Sequence, residues 1–253
     1  MEADRAASAN RLSAPPRRCA YPLRKNSGRH VAFRAAHPSS GHDAPVTDEK
    51  AMRQIKIIEH ISLDGVIQAP GGPDEEPGYD LGGWSVPYFD PAIGDAIGAA
   101  QGERFDLLLG RRTYDIFAGY WPHQTGPMAE SLNRARKHVA TSRPESLAWG
   151  PAEHLGTDIA EGIREAKARS GPDMVVWGSS TLTPLLVAQG LADTVHLLVF
   201  PVLLGRGKRF FSDKADAREL ALIDIKTAPT GVILSTYRPV GPLRTGSFAE
   251  PPA

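Results

Sequence analysis

Short hydrophobic runs alternate with longer amphipathic segments through the middle of the chain, and this pattern predicts its secondary structure. Apolar runs bounded by turn residues predict strands at 53–60, 105–109, 137–141, 173–177 and 194–200. Two later runs, 220–226 and 232–238, are predicted to form an antiparallel pair joined through Pro229-Thr230-Gly231. Most of the sheet is therefore expected to be built before the last quarter of the chain.

Helices are predicted between these strands. Asp90 is a candidate N-cap for a helix that Pro91 begins, and Thr157 is the expected cap of a helix through Arg169. A third helix is predicted at 181–189. Alternation of strands and helices predicts an α/β fold in three layers, with a mostly parallel mixed sheet, helices on both faces and a C-terminal antiparallel hairpin.

The body of the chain is predicted to be one domain, 52–241, between two tails. Residues 1–42 hold seven Arg and one Lys against two acids and lack periodicity, so 1–51 is predicted to be a disordered basic tail. The tail resembles a transit peptide in composition, but the preferred interpretation is an upstream extension before Met52. Residues 242–253 are expected to be a second loose tail.

Composition narrows the possible partners and compartments. The 253 residues carry 29 basic and 29 acidic side chains, so no net charge attracts nucleic acid or a membrane surface. A single cysteine, Cys19, and no apolar run near membrane-spanning length favour a cytoplasmic protein. The histidines lack metal-ligand spacing, and no metal site is expected.

Three predicted strands run into short turns rich in Gly, Arg, Ser and Thr, each expected to open a helix. The residues of these turns are Gly110, Arg111, Arg112 and Thr113; Thr141, Ser142 and Arg143; and Gly178, Ser179, Ser180 and Thr181. Helix N-termini at the carboxyl ends of parallel strands suit phosphate groups. The turns therefore indicate a phosphorylated dinucleotide and a reductase, whereas ordinary caps and polar loops are the alternative for each turn alone.

Other motifs are absent or ambiguous. The first strand lacks the G-x-G-x-x-G fingerprint, residues 205–209 fail the P-loop pattern, and no G-x-S-x-G elbow is present. Aromatic residues at 84–89 and 120–121 could hold a heterocycle for hydride transfer or simply pack loops.

Five motifs in order resemble the dihydrofolate-reductase-like superfamily, in particular its branch with the RibD C-terminal domain of riboflavin biosynthesis. The motifs are Ser62-Leu63-Asp64-Gly65, Gly83-Trp84-Ser85-x-Pro87-Tyr88, Leu108-Leu109-Gly110-Arg111-Arg112-Thr113-Tyr114, Trp177-Gly178-Ser179 and Phe200-Pro201-Val202-Leu203-Leu204-Gly205-x-Gly207. The resemblance covers about 53–240. It implies a sheet of about eight strands, NADPH as hydride donor and a reductase of a pyrimidine- or pteridine-like molecule, similar to 5-amino-6-(5-phosphoribosylamino)uracil reductase.

The same resemblance implies roles for particular residues. The turns at 110–113 and 178–181 would bind the cofactor phosphates, and Thr141, Ser142 and Arg143 would flank the adenosine 2′-phosphate. Asp64 would lie near the nicotinamide as the catalytic residue, with the proton coming from it or from water. Substrate contacts are implied for Trp84, Tyr88, Asp90, Gly205 and Gly207.

One departure leaves alternatives open. Dihydrofolate reductases have an acid two residues after the proline of W-x-x-P, whereas Asp90 comes one residue later, after Phe89. Asp90 is therefore either a substrate ligand or only the helix cap. A non-catalytic NADP(H)-binding module on the same fold and an interaction protein that uses the basic tail are the alternatives to a reductase. The family also makes a homodimer through an edge strand plausible.

Overall fold

The computed structural model describes residues 52–211 and 217–248, which contain one sheet of eight strands. The strands are β1 Ile55–Ser62, β2 Phe105–Gly110, β3 Lys137–Ala140, β4 Ala152–His154, β5 Asp173–Trp177, β6 Thr194–Phe200, β7 Arg218–Thr227 and β8 Ile233–Pro242. Their order across the sheet is β4-β3-β2-β5-β1-β6-β8-β7. The predicted tail at 1–51 and the last five residues of the predicted C-terminal tail lie outside the described residues.

The first six strands are parallel, while β8 runs antiparallel to β6 and β7 antiparallel to β8. This confirms the predicted mostly parallel sheet with its C-terminal antiparallel hairpin. The carboxyl ends of the parallel strands share one edge, here called the carboxyl edge. Their amino ends share the opposite one, the amino edge.

Five helices cover the two faces of the sheet in the described part of the chain: α1 Pro91–Gln101, α2 Arg111–Tyr120, α3 Pro127–Arg134, α4 Ile159–Ala168 and α5 Leu182–Ala188. Apolar residues of α1, α2 and α3 join one buried cluster, which contains Ile93 and Leu132. Those of α4 and α5 join a second cluster with Ile163 and Leu186. The sheet thus separates two cores, which confirms the three predicted layers.

Two helix starts test the predicted caps. Asp90 is the N-cap of α1, and its Oδ1 accepts from the backbone N–H groups of Ala92 at 2.8 Å and Ile93 at 3.2 Å. The predicted cap Thr157 is wrong: Asp158 caps α4 and accepts from the N–H of Glu161 at 3.0 Å. Asp is as good a cap as Thr, so adjacent candidates cannot be separated by residue type alone.

Some elements differ from the predictions. Helix α3 and strand β4 were not predicted, since β4 has only three residues and carries no apolar run. The turn after β3 was expected to open an α-helix, but a 3-10 turn at Pro144–Ser146 follows instead. Only two of the three turns therefore lead into α-helices.

Charged side chains at the amino edge form a buried network. Arg53, which is 4% exposed and lies just before β1, forms an ion pair with Asp106 of β2. His138 of β3 contacts Asp106 through Nε2 at 3.1 Å and Glu153 of β4 through Nδ1 at 2.8 Å. Arg169 also pairs with Glu153. The network links strands across the sheet and leaves its charged groups partnered.

Candidate active site

A cavity of about 860 Å³ opens at the carboxyl edge, within the size range of small-molecule and cofactor sites. The cavity lies where β5 ends. The pairing of β1 with β5 stops at Ile58 and Trp177, whereas β1 continues to Ser62 and leaves a gap beside it. The chain leaves β1 toward α1 on one face and leaves β5 toward α5 on the other. Such divergence of connections creates a crevice in open α/β sheets.

The turn between β2 and α2 forms one wall of this cavity, and all four residues of 110–113 line it. Gly110 is the N-cap of α2 and has no side chain to cap the first turn, so the helix presents uncapped N–H groups. A Cβ at Gly110 would stand 2.6 Å from the Ser179 hydroxyl oxygen. This glycine therefore allows the first and third turns to touch.

The turn after β5 lines the same cavity. Gly178 and Ser179 both adopt positive φ, 60° and 76°, which is uncommon for a residue with a side chain. A Cβ at Gly178 would lie 3.8 Å from the Thr113 hydroxyl oxygen, so this turn also packs beside α2. The Ser179 hydroxyl accepts from the N–H of Leu182 at 3.1 Å and caps α5 in place of Thr181.

Arg111 connects the turn after β3 to the other two. Its Nε donates to the Asp115 carboxylate at 2.8 Å and 2.9 Å. Its Nη1 lies 3.1 Å from the Arg143 carbonyl oxygen and 3.4 Å from the Thr141 hydroxyl. Thr141, Ser142 and Arg143 are not among the residues that line the cavity. They stand beside its rim, and Arg111 holds them there.

Four buried polar atoms have no hydrogen-bond partner among the residues that the structure describes: Glu59 Oε2, His60 Nε2, Gln101 Nε2 and Trp177 Nε1. All four side chains line this cavity. Buried polar groups in folded proteins are almost always hydrogen-bonded. Four such atoms therefore belong to residues around one cavity.

The wall that carries these atoms is close to neutral. Burial raises the pKa of Glu59 well above its usual range, and the nearby Glu75 carboxylate adds to the effect, while a backbone hydrogen bond with His60 opposes it. Burial also lowers the pKa of His60 to about 4. His60 is therefore uncharged at neutral pH, and burial favours the protonated form of Glu59.

The cations on the cavity wall are already paired. Arg112 and Lys208 contact the same Glu76 carboxylate, at 3.2 Å and 2.5 Å. Within the described ranges, no cluster of His, Cys, Asp and Glu is arranged to hold a metal ion, and no helix is long and apolar enough to cross a membrane. The cavity thus offers backbone turns and neutral polar side chains as its means of recognition.

Comparison with known proteins assigns the chain to a family. The sequence profile of the RibD C-terminal domain matches residues 54–234. The chain belongs to the RibD C-terminal domain family. It is 26% identical over 196 residues to the uncharacterised protein YyaP of Bacillus subtilis, which covers 76% of this chain and 98% of that one.

Solved structures share the fold of this RibD C-terminal domain. A pyrimidine reductase-like protein from Corynebacterium diphtheriae has a TM-score of 0.52 at 14% identity, covering 74% of this chain and 92% of the other. A dihydrofolate reductase from Enterococcus faecalis, complexed with NADP(H), has a TM-score of 0.49 at 15% identity, covering 74% and 96%. The chain shares the fold of the pyrimidine reductase-like protein.

Asp64 is the residue to which the RibD resemblance assigns the catalytic role. It is not among the residues lining the cavity. Its carboxylate accepts from the Ser62 hydroxyl at 2.6 Å and from the N–H groups of Leu204 at 3.1 Å and Gly205 at 2.7 Å. These hydrogen bonds, that of Ser62 foremost, lower the pKa of Asp64 to about 2. Asp64 is ionised at neutral pH and anchors the loop after β6, which makes it a poor proton donor.

The expected substrate contacts also lie outside the cavity lining: Trp84, Tyr88, Asp90, Gly205 and Gly207. Trp84 is buried and donates through Nε1 to the Gln68 carbonyl oxygen at 2.8 Å. The ring of Tyr88 packs edge-on against Phe200, and Asp90 caps α1. A Cβ at Gly207 would stand 2.5 Å from Val66 Cγ1, so that glycine permits close loop packing.

Glu59 and His60 were missed, although the sequence carries a signal for them. They interrupt the apolar run of β1, in which Ile55, Ile57, Ile58 and Ile61 are buried. A charged residue in a fully buried strand is rare unless it is paired or functional. Gln101 and Trp177 gave no comparable signal, because each stands at the end of an element where polar and aromatic residues are common.

Proposed function

We propose that this protein is an NADPH-dependent reductase of a pyrimidine- or pteridine-like small molecule, similar to 5-amino-6-(5-phosphoribosylamino)uracil reductase. One observation carries the proposal: two backbone turns suited to phosphate and four unpartnered buried polar atoms line a single cavity. A dinucleotide has charged phosphates at its middle and an uncharged ring at one end. The cavity offers matching surfaces for both parts.

The two turns support binding of the pyrophosphate. Gly110 leaves the first turn of α2 without a side-chain cap, and Gly178 and Ser179, both at positive φ, form a tight turn beside it. The partial positive charge at the N-terminus of α2 favours phosphate further. The turns are in contact, since Gly110 abuts Ser179. One phosphate pair can therefore reach both.

The third turn supports a preference for NADPH over NADH. Arg143 is exposed, and its guanidinium and that of Arg111 both contact the Asp115 carboxylate, at 3.9 Å and 2.8 Å. The Arg111 guanidinium also contacts Thr141 and the Arg143 backbone. Two guanidinium groups and two hydroxyl groups, those of Thr141 and Ser142, suit a phosphate monoester at the cavity rim. This arrangement matches the role that the family resemblance implies for the turn.

The neutral wall supports a heterocyclic substrate. Trp177 and Gln101 offer N–H donors without partners, and the aromatic rings of Phe105, Phe117 and Trp121 also line the cavity. Flat apolar surfaces with a few polar groups orient heterocycles. When bound, NADPH supplies the hydride, and these residues orient the substrate carbon for near-attack geometry and exclude water.

Titration with NADPH and NADH, followed by nucleotide fluorescence, tests the proposal. We expect NADPH to bind well below millimolar concentration and NADH more weakly, with the preference lost in Arg143→Ala. Turnover is then assayed with 5-amino-6-(5-phosphoribosylamino)uracil and a panel of pterins. If neither nucleotide binds below millimolar concentration, the protein is not a reductase of this kind.

One observation favours a second candidate, a non-catalytic NADP(H)-binding module. Both carboxylate oxygens of Asp90 are engaged, Oδ1 by the start of α1 and Oδ2 by the Thr230 hydroxyl at 3.1 Å. The acid that would anchor a pterin is thus committed to structure. Tight NADPH binding without turnover of any pterin or aminopyrimidine would favour this candidate.

A cytoplasmic homodimer belongs to the same proposal. Strand β7 is the outer strand of the sheet and exposes about half of each of Leu222, Ile223 and Ile225. Exposed apolar groups on an edge strand favour association. Light scattering would test this, and a monomer at micromolar concentration would contradict it.

A further inference from the structure

We propose that Glu59 is the acid of this site, a neutral carboxyl group that donates its proton to the heteroatom of the C=N or C=O group being reduced. The inference rests on the proposed reductase function and assigns the proton donor within it. It follows from the position of Glu59 on β1, its unpartnered oxygen and the commitment of the other acids. Each of these is a feature of the described residues.

Glu59 lies near the carboxyl end of β1 and lines the cavity. Glu59 directly follows Ile58, the last residue of β1 that pairs with β5. It therefore lies in the part of β1 that extends beyond the end of β5. The residue is 2% exposed, yet it lines the cavity. Its Oε2 is buried and has no hydrogen-bond partner within the described ranges. Glu59 thus belongs to the cavity wall, and its Oε2 is sheltered from bulk water.

The charged neighbours of Glu59 do not neutralise an ionised form. The titratable and charged side chains that share the cavity wall with it are His60, Glu75, Glu76, Arg111, Arg112 and Lys208. Arg112 and Lys208 pair with Glu76, and Arg111 pairs with Asp115. None of the ion pairs found among the described residues includes Glu59. Burial disfavours the ionised carboxylate and raises the pKa of Glu59, which favours the protonated form that a proton donor needs.

The other acids near the cavity are committed to structure. Asp64 holds the loop after β6 through two hydrogen bonds and accepts a third from Ser62, and Asp90 caps α1. Glu75 accepts from the N–H groups of Gly71 and Gly72 at 2.6 Å and 3.2 Å. Glu59 therefore differs from them in lining the cavity and having a buried oxygen without a partner among the described residues.

The proposed reduction transfers one hydride and one proton to the substrate. The hydride of NADPH adds to the carbon of C=N or C=O, which breaks the π bond and leaves its electron pair on the nitrogen or oxygen. The Glu59 proton moves to that heteroatom, so the substrate gains two hydrogens, NADPH becomes NADP⁺ and Glu59 becomes a carboxylate. Water then returns a proton to Glu59 after the product leaves.

Direct titration of Glu59 is the first test and needs no substrate. Protein carrying ¹³C-labelled glutamate is followed by NMR across a pH series, in the wild type, Glu59→Gln and Glu75→Gln. Glu75 also has a raised pKa, because it is partly buried, so the second variant is the matched control. We expect one glutamate signal that titrates well above the ordinary range, persists in Glu75→Gln and vanishes in Glu59→Gln. Its absence from the wild type would overturn the proposal.

Kinetics supply the second test, with NADPH and 5-amino-6-(5-phosphoribosylamino)uracil or whichever member of the pterin panel turns over. Glu59→Gln should bind NADPH within about twofold of the wild type but lose about 10²-fold in kcat, the usual scale for loss of a general acid. The wild-type kcat should fall as pH rises through the Glu59 pKa, and Glu59→Gln should lack this dependence. Asp64→Asn should retain it.

The two tests separate failure of this inference from failure of the proposed function. If the wild type binds no dinucleotide, the reductase function fails, whatever the Glu59 titration shows. If the wild type is active and Glu59→Gln keeps its kcat and pH profile, only the assignment of Glu59 is overturned. Partial recovery of kcat in Glu59→Asp would support an acid rather than a packing role.

Discussion

The two edges of the sheet differ in whether their buried polar groups have hydrogen-bond or ion-pair partners among the described residues. At the amino edge, Arg53, Asp106 and His138 are buried and contact one another in one network. At the carboxyl edge, Glu59 and Trp177 are equally buried but leave polar atoms without partners among the described residues. The first arrangement satisfies its polar groups within the fold, whereas the second leaves them for the ligand of the proposed function. The two edges therefore differ in how their buried polar groups are satisfied, although burial is similar.

Breaking the amino-edge network should give the largest effect on stability. Asp106→Ala leaves the buried Arg53 guanidinium and His138 without their shared carboxylate, and loss of one partner of a buried pair costs about 3–5 kcal/mol. Urea unfolding measures the free energy. Asp224→Ala, which removes the exposed pair with Lys226, is the control and should change it by less than about 1 kcal/mol.

NADPH affinity of folded Asp106→Ala should equal that of the wild type, because Arg53, Asp106 and His138 are not among the residues that line the cavity. A stability loss below about 1 kcal/mol, or a large loss of affinity, would contradict the division between the edges.

Acid pH should lower the free energy of unfolding, because the buried His60 ring must then take up a proton. Burial lowers the pKa of folded His60 to about 4, so its neutral form is favoured in the native state. Its contribution to stability is fully present above the unfolded pKa near 6.5 and is lost as pH falls toward 4. The wild type should lose on the order of 2–3 kcal/mol more than His60→Gln over this interval. Identical pH profiles from urea unfolding would contradict the burial of this ring.

Contact between the two phosphate turns can be broken at one atom. Gly110→Ala would place its Cβ 2.6 Å from the Ser179 hydroxyl oxygen, so the turns must separate. NADPH affinity should fall about tenfold, or about 1.4 kcal/mol, and Ser179→Ala in the same chain should restore much of it. The control is Gly119→Ala, at a helix position with no atom within 4 Å of the added Cβ. Equal affinities for both single variants would contradict the shared phosphate site.

Removing the unpartnered carboxyl should have the smallest effect on stability and the opposite sign. Glu59→Met replaces a buried group lacking a partner by an apolar one of similar size, which is neutral to stabilising by about 1 kcal/mol. Thermal unfolding measures the change, and turnover should fall at the same time. Destabilisation by more than about 2 kcal/mol would indicate that Glu59 belongs to the structure rather than to the site.

The order of strands and helices was predictable because burial leaves a strong periodic signal. Continuous apolar runs such as Leu107–Leu109 and Val175–Trp177 occur where parallel strands are covered on both faces. Strand β4 and helix α3 were missed, since they are short and owe their form to neighbouring elements rather than to local pattern. Local pattern also could not choose between Thr157 and Asp158 as a cap.

Parts of the candidate site could be predicted for a different reason. Gly110 and Gly178 mark sharp turns at strand ends, and parallel strands bring such turns to one edge whatever the side chains do. The positions of Asp64 and Trp84 depend on how the loops pack against one another, and no local sequence pattern predicts that packing. The sequence shows that Glu59 interrupts an apolar strand. Only the structure shows that its Oε2 lacks a hydrogen-bond partner among the described residues.

A crystal structure of the protein with NADP⁺ tests the central claim most directly. We predict the pyrophosphate between Gly110–Thr113 and Gly178–Thr181, the 2′-phosphate beside Arg143, and the nicotinamide near Glu59 and Trp177. A dinucleotide bound elsewhere on the molecule, or the absence of bound dinucleotide at millimolar concentration, would contradict the account.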